Sequence, residues 1–281
     1  MHHDSIMLVI FDEADVIISQ ESDKGGKGGK GKSHEDLCRM IVQKCKKAQI
    51  ALFSATYGKH AVRVASQLAK ARGGRKTTHE VLLATSEQSV ESIVQCCLRL
   101  ENNLDHKMTL LYQLIQAVDL GQIVVFVNSK KNITQITSFF HNKGLTVDEY
   151  HAGLKEDQRV RTEEQFTKGH LKVLVMTDIL ARGWNPSGVG LVVQFDLPDQ
   201  RNGPIDTYQH RIGRTGRAGK DGVSLCFVTR QEEKLLNSIK QTYNRPIKEL
   251  TPESFTADIR AEVEKIASRR VAEEKMTHSI A

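Results

Sequence analysis

Short runs of apolar residues recur along the chain and are separated by longer amphipathic stretches. Examples are Leu8 to Phe11, Gln49 to Phe53, Lys172 to Met176 and Val223 to Val228. A short continuous apolar run is typical of a strand that is buried on both faces. These runs therefore predict the central strands of parallel sheets.

From Ile93 onward, the pattern alternates between strands and helices. Predicted strands are Gln122 to Val127, Leu145 to Tyr150, Lys172 to Met176, Val189 to Phe195 and Val223 to Val228. Predicted helices are His106 to Val118, Asn132 to Lys143, Gln158 to Lys168, Glu232 to Tyr243 and a charged helix from Thr256 to Arg270. This alternation indicates an α/β fold with helices on both faces of a parallel sheet.

The chain is expected to hold one partial and one complete domain. Apolar residues become scarce from Thr85 to Ser92, which predicts a linker. We expect residues 1–86 to form the later part of a first domain, with helices at His34 to Lys47 and Lys59 to Ala71. Residues 87–255 form the second domain, and residues 256–281 form a C-terminal helix and tail whose last residues are frayed.

Composition narrows the class of protein. The net charge of +6 suits a polyanionic partner, although so small an excess also fits an ordinary solvated surface. The five cysteines lack CxxC or His/Cys ligand spacing, which favours a reducing compartment over a zinc site or a disulfide framework. With no apolar run near the roughly 20 residues that span a bilayer, we expect a soluble cytosolic or nuclear protein.

The strand Leu8 to Phe11 runs directly into Asp12-Glu13-Ala14-Asp15. The carboxyl end of a parallel strand is where such sheets bind ligands. There, Asp12 could hold Mg²⁺ on a nucleoside triphosphate while Glu13 orients or deprotonates the attacking water. The alternative is a pair of solvated acids.

Three further stretches decide between these interpretations. They are Ser54-Ala55-Thr56, Thr177 to Gly183 and His210 to Arg217, each at the end of a predicted strand or just before one. In this order they resemble the DEAD-box RNA helicases, with motif II at Asp12 to Asp15, III at Ser54 to Thr56, IV at Val124 to Asn128, V at Thr177 to Asn185 and VI at His210 to Arg217. The resemblance implies RecA-like domains, ATP and Mg²⁺ as cofactors, and RNA as partner.

The resemblance also implies roles for the nucleotide site. Arg214 and Arg217 are three apart, and we expect them at the start of a helical turn, pointing to one face as arginine fingers; the alternative is a surface salt bridge. Asn185 stands at the ribose-binding position. Four residues are expected to couple nucleotide and RNA: Asp15, Ser54, Thr56 and His210. Ser54 and Thr56 could instead cap the following helix.

Six residues are implied RNA contacts: Asn128, Ser129, Arg159, Thr177, Arg182 and Gly183. Contacts of this kind bind the backbone, so binding should be independent of sequence and salt dependent, and should distinguish RNA from DNA. Some positions depart from the family pattern. His151-Ala152-Gly153 replaces His-Gly-Asp, Asp157 stands where Gln is common, and Trp184-Asn185 replaces Ile-Asp. These changes lower the expectation of full activity.

A phosphate loop is expected upstream of motif II in this family, and none precedes Asp12 here. Gly26 to Ser33 fits the G-x-x-x-x-G-K-[ST] pattern, but Gln20 to Lys24 before it is polar and the segment is a Gly/Lys repeat. A phosphate loop needs a buried strand ahead of it. We expect a flexible basic insertion instead, and no ATP turnover by the chain alone.

The segment from Phe195 to Tyr208 is longer than in most members of the family and contains Asn202-Gly203. It resembles the mRNA-export branch, which implies mRNA-export or nuclear-pore factors as partners, a location in the cytoplasm or nucleus that includes the nuclear pore, and a monomer. The leading hypothesis is an ATP-dependent RNA helicase. The alternative is a noncatalytic RNA-binding or scaffold module derived from one.

Overall fold

The computed structural model describes residues 5–12, 14, 34–54, 62, 65–66, 68–69, 79, 81, 92–119, 121–178, 189–201, 203–216 and 221–280. The chain folds as two compact units, Met1–Leu83 and Ala84–Ala281. The division into 1–86, 87–255 and 256–281 stays a prediction.

In the first unit, three elements are described: β1 (Leu8–Phe11), α1 (His34–Lys44) and β2 (Gln49–Leu52). The two strands pair in parallel, with Leu8 opposite Gln49. Phe11 on one face packs with Cys38 and Val42 of α1. Leu8 and Ile10 on the other face are about half exposed, at 50% and 55%. The apolar face of β1 that carries these two residues is therefore only partly covered.

The second unit contains seven strands and six helices within its described part. In chain order they are β3 (Ile93–Arg99), α2 (Leu104–Ala117), β4 (Gln122–Phe126), α3 (Lys130–Asn142), β5 (Val147–Tyr150), α4 (Glu156–Thr167), β6 (Val173–Met176), β7 (Val189–Gln194), α5 (Pro204–Ile212), β8 (Gly222–Val228), α6 (Glu233–Tyr243), β9 (Lys248–Leu250) and α7 (Phe255–Ile280).

The seven strands form one sheet in the order β5-β6-β4-β7-β8-β3-β9, and every neighbouring pair is parallel. Alternate residues of the central strands point to opposite faces. Val125 belongs to the core that holds α2, α3 and α7. Phe126 belongs to the core that holds Phe166 of α4, while α5 and α6 pack on β3 and β8. The predicted parallel sheet with helices on both faces is confirmed.

Two elements were missed by the sequence pattern, and one predicted position was wrong. The pattern gave neither β9, an edge strand of three residues, nor α5, whose first residue is Pro204 after Gly203 in a left-handed conformation. Because α5 ends at Ile212, Arg214 follows a helix instead of starting one. The last helix is also longer than predicted and reaches Ile280. Within the described part of the chain, no helix has the length and apolar character needed to cross a membrane.

Candidate nucleotide and nucleic-acid sites

The carboxyl ends of three neighbouring strands carry polar residues in the second unit. Asn128 follows β4, Thr177 and Asp178 follow β6, and Asp196 follows β7. Since β4 lies between β6 and β7 in the sheet, these strand ends are adjacent. The edge so formed is the one at which open parallel sheets bind ligands.

Arg211, in the last turn of α5, is fully buried at this edge. Its Nε and one terminal nitrogen donate to both carboxylate oxygens of Asp178, at 2.5 and 2.7 Å. The same guanidinium donates to Asn128 Oδ1 at 2.9 Å and to the Asp196 carbonyl at 2.7 Å. It also lies over the Phe126 ring, 5.2 Å from the centroid. One buried cation therefore joins motifs IV, V and VI.

Asp196 is the second connection between these strand ends. Its Oδ2 accepts from the Asn128 backbone N–H at 3.0 Å. The buried Nζ of Lys107, from α2, donates to the Phe195 carbonyl at 2.8 Å and lies 3.4 Å from Asp196 Oδ1. Burying two cations is tolerated because each is paired and hydrogen-bonded. The network should therefore hold the edge in one conformation.

Asn128 uses both ends of its side chain within this network. Its Oδ1 accepts from Arg211, and its Nδ2 donates to the Leu197 carbonyl at 2.7 Å. These bonds give Asn128 a positioning role, while the residue is exposed and its predicted contact with phosphate stays a prediction. Ser129 directly precedes α3 and is half-buried.

Two predicted RNA contacts carry buried polar atoms for which the described residues supply no hydrogen-bond partner. They are Thr177 Oγ1 and Arg159 Nε. Thr177 is 8% exposed and lies at the end of β6, where its N–H donates to the Tyr150 carbonyl at 3.3 Å. Arg159 lies in the first turn of α4, and its terminal nitrogen pairs with Glu156. An unsatisfied buried donor is costly, so each group is suited to receive a ligand oxygen.

Motif VI continues from α5 into a tightly anchored turn. His210 lies in the last helical turn, and its carbonyl accepts from Arg214 Nε at 3.1 Å. Thr215 Oγ1 donates to the Val189 carbonyl at 2.6 Å, and the Gly216 carbonyl accepts from Ser92 Oγ at 3.2 Å. Arg214 is 5% exposed. The position of Arg214 is thus fixed by bonds to its own helix and by a turn tied to β7.

In the first unit, Asp12 and Ser54 follow two paired strands. Phe53 N donates to the Phe11 carbonyl at 2.9 Å, which carries the parallel pairing up to both residues. The Asp12 carboxylate is exposed at the strand end, and oxygen ligands of this kind suit Mg²⁺. The described residues contain no cluster of three or more metal-binding side chains. The role of Asp12 in holding Mg²⁺ stays a prediction.

Several predicted site residues lie outside the described residues, so their roles stay predictions. They are Glu13, Asp15, Thr56, Arg182, Gly183, Asn185 and Arg217. The Gly26 to Ser33 segment and Trp184 also lie outside.

A second set of buried polar side chains, around Tyr208, carries no charge. Tyr208 Oη donates to Gln95 Oε1 at 2.8 Å, and Cys226 Sγ lies 3.9 Å from Tyr208 Oη. Burial raises the pKa of Tyr208 well above its ordinary value of 10.0 and that of the Cys96 thiol to about 12. These groups therefore pack as neutral side chains, and all five cysteines are buried free thiols.

Sequence reasoning missed the residues that organise the edge, namely Arg211, Asp178, Asp196 and Lys107. Two of them lie inside recognised motifs, directly after His210 and Thr177. Lys107 carried no signal, because a lysine on a predicted helix is usually solvated. Its burial follows from the position of α2 against β7.

Comparison with known proteins identifies the family. A model of the helicase conserved C-terminal domain matches residues 106–219. The ATP-dependent RNA helicase dbp5 of Aspergillus niger is 32% identical over 275 residues, which cover 95% of this chain and 52% of the relative. The chain therefore spans about half the length of this curated relative.

Solved structures give the same result. S. cerevisiae Dbp5 bound to RNA and ADP BeF3 matches with a TM-score of 0.76 and 27% identity, covering 94% of this chain and 64% of that one. S. cerevisiae Dbp5 L327V bound to Gle1 H337R and IP6 matches with a TM-score of 0.75 and 27% identity, covering 95% of this chain and 63% of that one.

A structure of the Dbp5 C-terminal domain alone covers 63% of this chain and is itself covered completely, with 31% identity and a TM-score of 0.57. Together with the shared order of motifs, these matches show that the chain belongs to the DEAD-box family of RNA helicases, and the Dbp5 matches support its mRNA-export branch.

Proposed function

We propose that this chain is the part of an ATP-dependent RNA helicase that holds the RNA backbone on its second RecA-like domain and couples that grip to ATP hydrolysis. The observation that carries the proposal is the edge of the second unit. There, Arg211 fixes motifs IV, V and VI together while Thr177 keeps a buried hydroxyl for which the described residues offer no partner.

RNA binding follows from this edge. Thr177 Oγ1 donates to a phosphate oxygen, and the Arg159 guanidinium provides a further charge-assisted bond to the RNA backbone. Ser129, Arg182 and Gly183 add contacts to the backbone. None of these contacts reads a base, so binding is independent of sequence. Coupled to ATP hydrolysis, this grip serves local unwinding of RNA or remodelling of RNA–protein complexes.

We assign the binding and hydrolysis of the nucleotide to residues that follow β1 in the sequence and to motif VI. Asp12 would hold Mg²⁺ on the nucleotide phosphates, where the ion would supply neutralisation of their charge. Glu13 orients the attacking water. Arg214 and Arg217 stabilise the transferred phosphoryl group, a task that the fork of a guanidinium performs and a lysine does not. Asn185 contacts the ribose, and Asp15, Ser54, Thr56 and His210 couple the two ligands.

Domain division and partners form part of the proposal. Residues 1–86 supply the later part of the first RecA-like domain, residues 87–255 the second, and residues 256–281 a C-terminal helix and tail. The solved S. cerevisiae Dbp5 complex with Gle1 and IP6 supports mRNA-export and nuclear-pore factors as partners, and hence a cytoplasmic or nuclear location that includes the pore. The chain acts as a monomer.

The test is binding of the purified chain to single-stranded RNA and to DNA of the same sequence, by fluorescence anisotropy over a salt series. RNA should bind more tightly, and its affinity should fall steeply with salt. Thr177→Val should weaken RNA binding about tenfold, because one hydrogen bond to a charged group is lost.

Ser224→Ala is the matched control. Ser224 Oγ is also buried without a partner in the described residues, but it lies within β8 instead of at the strand ends. Equal losses from both variants, or equal affinity for RNA and DNA, would contradict the proposal. RNA binding with no nucleotide effect in any form of the protein would instead favour the noncatalytic module.

A further inference from the structure

Arg159, one of the proposed RNA contacts, already holds a carboxylate. Its terminal nitrogen pairs with Glu156 Oε2, three residues earlier in the first turn of α4. Its Nε is buried and has no partner in the described part of the chain. The guanidinium is thus half engaged by an acid of its own helix.

Of the two side chains in this pair, that of Glu156 is freer to move because it is more exposed. The Glu156 side chain is 76% exposed and the Arg159 side chain 26%. The rest of α4 is tied to β5, since Thr162 Oγ1 donates to Asp148 Oδ2 at 2.8 Å and Tyr150 Oη pairs with Glu163. The pair can therefore open by rotation of Glu156 alone, without movement of the helix. Opening costs little, because exposed ion pairs contribute little stability.

A carboxylate and a phosphate are similar ligands for a guanidinium. Both accept two parallel N–H bonds from it. A phosphate that binds Arg159 through both terminal nitrogens must therefore displace Glu156 from one of them. The displaced carboxylate stays within a Debye length of the phosphate and repels it.

We propose that Glu156 competes with RNA phosphate for Arg159 and so limits the affinity of this helicase for RNA. The inference rests on the proposed RNA path past the start of α4. It assigns Glu156 a function that its place in the first turn of a helix would not by itself require.

The experiment measures binding of the chain to single-stranded polyuridine by fluorescence anisotropy at low and at high salt. Glu156→Gln should bind about two- to fivefold more tightly at low salt, with the gain lost at high salt. Glu164→Gln is the matched control, since Glu164 lies on the same helix, is 59% exposed and pairs with Lys168. It removes the same charge and should change affinity less.

Arg159→Ala and the double variant separate this inference from the proposed function. Arg159→Ala should weaken binding, and Glu156→Gln should give no further gain in that background. If Arg159→Ala leaves affinity unchanged, both the RNA path past α4 and the competition are wrong. If Arg159→Ala weakens binding while Glu156→Gln and Glu164→Gln change it equally, the RNA path holds and the competition is overturned.

Discussion

Arg211 and Asp178 form a bidentate ion pair that links the end of α5 to the end of β6, with N–O distances of 2.5 and 2.7 Å. The Arg211 side chain is fully buried, whereas that of Asp178 is 33% exposed. The pair therefore places motif VI against motif V. It explains how residues more than 30 positions apart in the chain keep a fixed geometry at the proposed site.

Removing Asp178 should destabilise the second unit strongly. Asp178→Ala leaves the Arg211 charge buried with its main partner gone, which should cost about 3 kcal/mol in the free energy of unfolding. Chemical denaturation followed by circular dichroism gives this value. The matched control is Asp199→Ala, because Asp199 pairs with Arg201, whose side chain is 85% exposed. The control should lose much less stability, and similar losses from both variants would count against the buried network.

Gly222 should tolerate no side chain. A Cβ there would lie 2.0 Å from Thr215 Oγ1 and 2.8 Å from the backbone N of Gly216, within the motif VI turn. Gly222→Ala should therefore cost about 3 kcal/mol of stability through overpacking. Gly144→Ala is the comparison, since Gly144 has φ +79° and nothing in the described structure lies within 4 Å of its Cβ position. It should cost about 1 kcal/mol through backbone strain alone. The melting temperatures of the two variants distinguish these effects. An unchanged melting temperature for Gly222→Ala would contradict the tight packing of this turn.

Part of the stability that the edge strand β9 contributes should be lost at acid pH. The hydrogen bond from Arg99 and then that from Lys240 lower the pKa of Glu249 from 4.5 to about 2. An acid with a depressed pKa stabilises the fold above its unfolded pKa, and that stabilisation is lost as pH falls from about 4.5 through about 2.

Glu249→Gln should accordingly lose at most about 1 kcal/mol at neutral pH, because the pair is exposed, and the difference from the unaltered chain should vanish near pH 2. Urea denaturation at several pH values measures it. A constant difference across that range would show that the ion pairs do not contribute.

The sequence predicts the sheet well because its strands are buried on both faces, as for Ile123 to Phe126 and Val173 to Met176. Helix α5 was missed because Pro204, Asp206, Thr207, Gln209 and His210 read as a polar loop, and its apolar contacts are limited to a few residues such as Tyr208 and Ile212. Hydrophobic periodicity needs a longer helix to be visible.

The candidate site was only partly predictable for a different reason. Family motifs name Thr177, Arg159, His210 and Arg214 directly from the sequence. The cations that hold the edge together depend on which strands are neighbours, and that order is not encoded in local pattern. Lys107, on α2, contributes to the site because it contacts the segment that follows β7, and β7 lies beside β4 in the sheet.

ATP hydrolysis with and without RNA tests the central claim most directly. The measurement uses the chain alone and the chain extended ahead of Met1 by the upstream half of a RecA-like domain from a dbp5 relative. We expect RNA-stimulated turnover by the extended protein. Glu13→Gln should abolish that turnover, Arg214→Lys should reduce it by about 10³ or more, and Lys32→Ala should leave it unchanged. The account would be contradicted by ATP hydrolysis that RNA does not stimulate, that Arg214→Lys does not slow, or that Lys32→Ala abolishes.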